Sequence, residues 1–177
     1  VVAYCHHEIS YSEADIPALL EEKAQPFLLI LDGVTDPHNL GACLRSANAF
    51  GVDAVIAPKD RAVGLTPVVR KVACGAAEST PFITVTNLVR TMKHLQQQGV
   101  WFVGTCAKSD ASLVDIDLTS GIAWVLGSEG KGVRQLTQKH CDFMARIDLF
   151  GDVSSLNVSV AAGICLYETQ RQRARGR

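Results

Sequence analysis

Residues 27–41 read Phe27-Leu28-Leu29-Ile30-Leu31-Asp32-Gly33-Val34-Thr35-Asp36-Pro37-His38-Asn39-Leu40-Gly41. The first five are continuously apolar. That suits a strand buried on both faces, as in a parallel sheet, rather than the alternating pattern of a half-solvated strand. Asp32-Gly33 closes the run. From residue 39 to residue 50, apolar or small residues recur at helical spacing, with Asn39 as a plausible N-cap and Gly51 as a stop. The rest of the chain repeats this strand–turn–helix theme. Short apolar runs at 54–57, 82–85, 101–105, 122–126 and 143–147 alternate with helical patterns at 67–77, 87–98, 132–139 and 155–171. Thr66 caps the first of these helices with Pro67 at its first position, Asn87 caps the second, and Ser154 or Ser155 is a natural cap for the last. The alternation predicts an α/β fold built on a parallel sheet.

Composition agrees with one globular domain: 177 residues, 47% apolar and 20% charged. The longest mostly apolar stretch, residues 156–167, is far below the ~20 residues a membrane span needs. Formal charge is −1, which argues against a protein coated in phosphate-binding lysines. The total conceals a pattern. Residues 1–32 hold one Lys and six acids, residues 171–177 hold four Arg, and the stretch between them is neutral. Within that stretch Lys59, Arg61, Arg70 and Lys71 form a basic cluster after the second strand. Residues 1–25 are polar, acidic and weakly periodic, and read as an arm with one short helix near 16–23. Six cysteines stand at least 24 residues apart with no CxxC. Zinc sites and redox pairs are therefore unsupported, and the cysteines read as small buried hydrophobes in a reducing compartment. His6 and His7 have no metal-like partners.

Three stretches carry candidate chemistry. Gly127-Ser128-Glu129-Gly130-Lys131-Gly132 joins a buried strand to a helix, where open α/β sheets bind ligands. Its glycine order matches neither a dinucleotide fingerprint nor a Walker loop, so a plain tight turn is the competing reading. Glu129 between glycines is exposed, available to a ribose or an arginine or simply solvated. In the second stretch, Arg45 lies six residues after Asn39 in a helix otherwise apolar and small. It snorkels to the surface, or joins Asn39 in holding a phosphate or carboxylate. In the third, Asn157 sits in the first turn of an apolar helix. Its amide needs partners there, and the free N–H groups of a helix start favour polar or anionic ligands. The chain has no GxSxG elbow, no HExxH and no aromatic run of the RNA-stacking kind.

Together these stretches resemble a known family. Asn39-Leu40-Gly41-Ala42-Cys43-Leu44-Arg45-Ser46-Ala47, Val125-Leu126-Gly127-Ser128-Glu129-Gly130-Lys131-Gly132-Val133 and Ser155-Leu156-Asn157-Val158-Ser159-Val160-Ala161 are similar, in this order, to the three motifs of the SpoU (TrmH-like) branch of the SPOUT RNA 2′-O-ribose methyltransferases. The longer matches at 32–41 and 71–79 resemble the bacterial members that act on a guanosine of 23S ribosomal RNA. The resemblance implies a parallel-sheet SPOUT fold with a deep C-terminal trefoil knot over 26–170. It implies bound S-adenosylmethionine and a homodimer packed through the knot. Residues 1–25 would then link to an N-terminal RNA-binding domain, and 171–177 would be a basic tail. By motif match, Gly127, Ile147 and Leu156 hold the cofactor, mainly through backbone groups, aided by Thr105, Leu126, Ser128 and Leu149. Asn39, Arg45, Glu129, Ser155 and Asn157 surround the ribose and the transferring methyl group. The expected setting is cytoplasmic, with no membrane and no metal. A tRNA ribose as substrate, or a knotted RNA binder without catalysis, are the alternatives. An oxidoreductase of the dinucleotide-binding type lacks its glycine fingerprint.

Overall fold

A computed structural model describes residues 10–176. Six strands form one fully parallel sheet: β1 (Phe27–Asp32), β2 (Ala54–Pro58), β3 (Phe82–Val85), β4 (Trp101–Thr105), β5 (Ile122–Gly127) and β6 (Phe143–Ala145). Their spatial order is β3-β2-β1-β5-β4-β6. The chain winds outward from β1 in one direction and then fills the other side. The topological switch point therefore falls between β1 and β5, and Asp32 pairs with Gly127 at its carboxyl edge. In such sheets this is the crevice where ligands bind.

The continuous apolar runs are explained by helices on both faces. Every residue of β1 and of β5 is buried. Leu29, Leu31, Trp124 and Leu126 face α2 (Pro37–Ala49), α3 (Pro67–Ala73) and α7 (Val158–Arg175). Leu28, Ile30, Ala123 and Val125 face α5 (Leu88–Gln97) and the short α1 (Ile16–Leu20). Burying each such side chain contributes roughly 1.5–3 kcal/mol. Trp124 is fully buried, so its indole N–H needs a partner and donates to Thr169 Oγ1 of α7 at 2.9 Å.

Several boundaries differ from the sequence reading. Helix α2 starts at Pro37 and is capped by Asp36, whose Oδ1 accepts from the His38 N–H at 2.8 Å. Proline's missing N–H suits a first position, so the cap moves three residues upstream and the Asn39 side chain is released from capping. The helix expected at 67–77 breaks at Cys74 and Gly75, both with positive φ, and resumes as α4 (Ala76–Ser79). Gly132 also has positive φ, which delays α6 to Gln135–Gln138. Strand β6 stops at Ala145, although Arg146 still bridges to Ser112. Asn157, not Ser154 or Ser155, caps α7.

The basic tail is not a tail up to Arg175: α7 continues through it. Arg173 donates to the Ser120 carbonyl at 2.6 Å and lies 4.8 Å over the Phe27 ring, while Arg171 grips the buried Glu168 with two bonds. The arm, where described, is docked: Ile16 and Leu20 are buried in the second core cluster. Cys43 and Cys165 are buried as expected, and burial pushes the Cys43 thiol up to about 12. Cys74 is exposed and Cys106 and Cys141 are half-buried, so the all-buried reading fails for those three. Cys5, His6 and His7 lie outside the described residues. No helix among the described residues is long and apolar enough to cross a membrane, and no group of potential metal ligands clusters there.

Candidate active site

The carboxyl ends of β5, β4 and β6 open onto a cleft of about 940 Å³ beside the switch point. Three segments wall it: residues 105–108 after β4, residues 126–133 after β5, and residues from 145 to 161 leading into α7. Every cofactor-binding residue inferred from the motifs lines it. Gly127, Leu126 and Ser128 come from the second segment, Thr105 from the first, and Ile147, Leu149 and Leu156 from the third. Glu129, Ser155 and Asn157 stand in the same wall.

Gly127 is required by close approach. A Cβ there would fall inside the carbonyl group of Gly132 and the nitrogen of Val133, well under the 3.0 Å that real Cβ atoms keep. The chain can double back this tightly because Gly130 and Gly132 take positive φ, and the turn is closed by Gly132 N–H donating to the Ser128 carbonyl at 2.8 Å. The tight turn of the competing reading is thus present, and it projects Glu129 towards two amides.

Those amides come from remote parts of the chain. Asn39 Nδ2 donates to Glu129 Oε1 at 3.1 Å, and Asn157 Nδ2 donates to the same oxygen at 2.6 Å and to Asn39 Oδ1 at 2.8 Å. Meanwhile Asn157 Oδ1 accepts from the Ser159 N–H at 2.9 Å and caps α7. One side chain therefore has two jobs: its oxygen starts the helix, and its nitrogen joins the first and second motifs. This is the partner set that its position in an apolar helix demanded.

Arg45 is not drawn into this group. It is exposed on α2, and its Nη1 lies 3.7 Å from Cys74 Sγ at the end of α3. The six residues between it and Asn39 carry it roughly 9 Å along the helix. Nor does Ser155 make a hydrogen bond within the described chain. The cleft also recruits Lys108, Lys131 and Gln138, which the sequence reading did not single out. Lys131 had a signal, being flanked by glycines in a motif already noted; Lys108 sits in a loop without one. A third segment feature concerns the main chain. None of the N–H groups from residue 147 to 156 donates a hydrogen bond within the described chain. Asp148, within that stretch, ties it to its surroundings: its carboxylate accepts from Ser112 Oγ at 2.5 Å and from Arg146 Nε at 2.8 Å.

These features define a class. The SpoU rRNA Methylase family model matches residues 26–167, and the chain belongs to that family. Among its relatives, the 23S rRNA (guanosine-2′-O-)-methyltransferase RlmB of Coxiella burnetii (strain RSA 493 / Nine Mile phase I) is 66% identical over 98% of this chain and 70% of its own length. The protein of the same name from Escherichia coli (strain K12) is 59% identical over 93% of this chain and 68% of its own. The SpoU methyltransferase AviRb from Streptomyces viridochromogenes, solved in complex with the cofactor AdoMet, superposes with a TM-score of 0.82 at 29% identity. That match covers 88% of this chain and 60% of that one.

Proposed function

We propose that this chain transfers a methyl group from S-adenosylmethionine to the ribose 2′-oxygen of a guanosine in 23S ribosomal RNA. The observation that carries the reading is the junction of Asn39, Glu129 and Asn157 at the rim of a cleft beside the topological switch point. Identity of 59–66% to enzymes named for that reaction supports the substrate.

The cleft suits the cofactor. Ala145, Ile147, Leu149 and Leu156 offer an apolar slot for a purine, and the unpaired main chain of residues 147–156 offers donors and acceptors for its edge. In this reading Gly127, Ile147 and Leu156 hold the ligand through backbone groups, with Thr105, Leu126, Ser128 and Leu149 completing the walls. When bound, S-adenosylmethionine supplies an electrophilic methyl carbon on a cationic sulfur, which the ribose oxygen takes in one displacement. The C–S bond would break as the C–O bond forms, leaving neutral S-adenosylhomocysteine, and the 2′-OH proton would pass to solvent water; the hydroxyl is a poor nucleophile at neutral pH, so its developing negative charge must be stabilised. We assign this to Arg45. A guanidinium with a pKa above ~12 stabilises an alkoxide far more readily than it accepts a proton. Asn39, Glu129, Asn157 and Ser155 orient the nucleotide, the two amides fixing which Glu129 oxygen faces the substrate.

We further propose the deep knot. Its support is that α7 runs between β5, through Trp124–Thr169, and the connection from β4 to β5. Gln172 bonds the Ile116 carbonyl and the Leu118 N–H of that connection. A homodimer through this region is supported by exposed Val160 and Tyr167 on α7 and by exposed Phe150 and Val153 in the segment that leads into it. A cytoplasmic location follows from the substrate. The test is tritiated methyl incorporation into unmodified 23S rRNA, with the product mapped by resistance to alkaline hydrolysis. Resistance at one internucleotide bond next to a guanosine is expected. Incorporation into tRNA alone would move the substrate assignment, and binding without incorporation would remove the activity.

A further inference from the structure

The returning limb of the glycine loop is fastened to the other half of the sheet. Asp32 ends β1 opposite Gly127, and its side chain is wholly buried, at 0% exposure. Its Oδ1 accepts from Arg134 Nε at 2.6 Å and pairs with Nη2 of the same residue. Its Oδ2 accepts from the main-chain N–H of Arg134 at 3.1 Å. Among the described residues no other cation pairs with Asp32. A carboxylate buried at this depth is strongly destabilising once its partner is removed. One residue earlier, the Val133 carbonyl accepts from Gln138 Nε2 at 2.6 Å. Residues 133 and 134 are thus held on both sides. Gly132 and Val133 are the groups that crowd Gly127, so their position sets the floor of the cleft.

We propose that Asp32 and Arg134 are a positioning pair for S-adenosylmethionine binding. Neither lines the cleft; they act by holding residues 127–133 in the shape that the ligand meets. The inference rests on the cofactor reading above and extends it to two residues that lie outside the three motifs and outside the set assigned to the cofactor or the ribose. Arg134 is the better handle, because its side chain is 43% exposed and its removal leaves no core cavity. Asn39 and Asn157 hold Glu129 independently of it, so the pair governs ligand affinity more than the reacting groups.

The experiment uses Arg134→Gln and Arg134→Lys in the full chain. It combines calorimetric titration with S-adenosylmethionine, amide hydrogen exchange of the ligand-free protein and steady-state methyl transfer. Arg134→Gln should weaken binding about tenfold or more, the scale of losing a charge-assisted contact to a buried acid. Exchange should rise in residues 127–133 and not in β2, β3 or α5. Turnover at saturating cofactor should stay within about threefold, placing the defect in KM. Arg134→Lys should recover part of the affinity, since it keeps the charge and the main-chain bond but loses the planar fork. Native affinity and native exchange in Arg134→Gln overturn the proposal, as does weaker binding accompanied by faster exchange across the whole sheet. If the unaltered protein binds no S-adenosylmethionine, the cofactor reading itself has failed, which is a different result from a variant that binds like its parent.

Discussion

Replacing Gly127 by alanine adds one methyl group at the most crowded point of the cleft. The new Cβ would overlap the Gly132 carbonyl and the Val133 nitrogen, and relief requires those backbone atoms to withdraw by about 1 Å or more. Side-chain repacking cannot absorb this, because all three nearest atoms are main chain. Overpacking of this kind costs roughly 1–3 kcal/mol, and a rigid backbone neighbour puts it near 3. For a domain of this size each kcal/mol lowers the unfolding midpoint by about 2–4 °C, so a fall of about 6–12 °C is expected. The functional loss should be larger in proportion. A displacement of ~1 Å around a reacting centre costs on the order of a hundredfold, and here it also moves the loop that carries Glu129. Differential scanning fluorimetry and calorimetry with S-adenosylmethionine measure the two effects. Gly64→Ala is the matched control, with nothing within 4 Å of its new methyl group, no positive φ and a position outside the cleft wall. If Gly127→Ala melts within about 2 °C of the parent and binds the cofactor equally well, the close approach and the site built on it would be refuted.

Three other perturbations separate roles that the geometry combines. Asn157→Ser keeps a good helix cap but cannot reach Glu129, so it should retain stability to within about 0.5 kcal/mol and lose turnover. Asn157→Ala should lose both, with about 1 kcal/mol from the cap; melting and methyl-transfer assays on the pair decide it. Arg45→Ala and Arg45→Lys should melt like the parent, since the side chain is exposed, yet both should transfer methyl groups at least tenfold more slowly with cofactor affinity unchanged. Near-normal turnover in both removes Arg45 from the chemistry. The Ser112 hydroxyl, and after it Arg146, hold the Asp148 carboxyl below its ordinary value of 3.8. Such a depressed value contributes stability that is full above 3.8 and is lost as pH falls below it and through the lowered folded value. Ser112→Ala should therefore move the carbon-detected titration of Asp148 upward and make the wall at residues 147–149 yield to acid earlier; an unmoved titration removes Ser112 as the cause.

The parts of this fold that could be read in the sequence are those with a local cause. Residues 27–31 and 122–126 announce buried strands because side chains must be apolar when helices cover both faces. Asn157 announces itself because an amide in an apolar helix start has few ways to be satisfied. Where two local signals compete, reading is less secure. Asn39 and Asp36 are both good caps, and Pro37 decides between them by fitting the first helical position. Ser154 and Ser155 are good caps too, but the α7 backbone begins only where Asn157 can reach both the Ser159 N–H and the Glu129 carboxylate. Interactions across long stretches left no local trace. Asp32 looks like a strand terminator, and its bond to Arg134 spans 102 residues. Likewise the four arginines at the end look like a solvated tail until Leu118, Ser120 and Phe27 are found waiting for Arg173.

The junction of the two asparagines spans 118 residues, and Arg173 reaches back 147 residues to the Pro26 carbonyl. Contacts so distant along the chain form late, because loop closure must be accomplished before any of them is rewarded. A nascent polypeptide that has emerged through the glycine loop after β5 already holds Asn39 and Glu129, yet lacks the side chain that joins them. Strands β1 to β3 with α2, α3 and α5 can pack early, whereas the reactive rim waits for α7. The junction of Asn39, Glu129 and Asn157 is then completed in a single late event rather than by degrees, and a translation product truncated before α7 lacks it even when most of its sheet has formed.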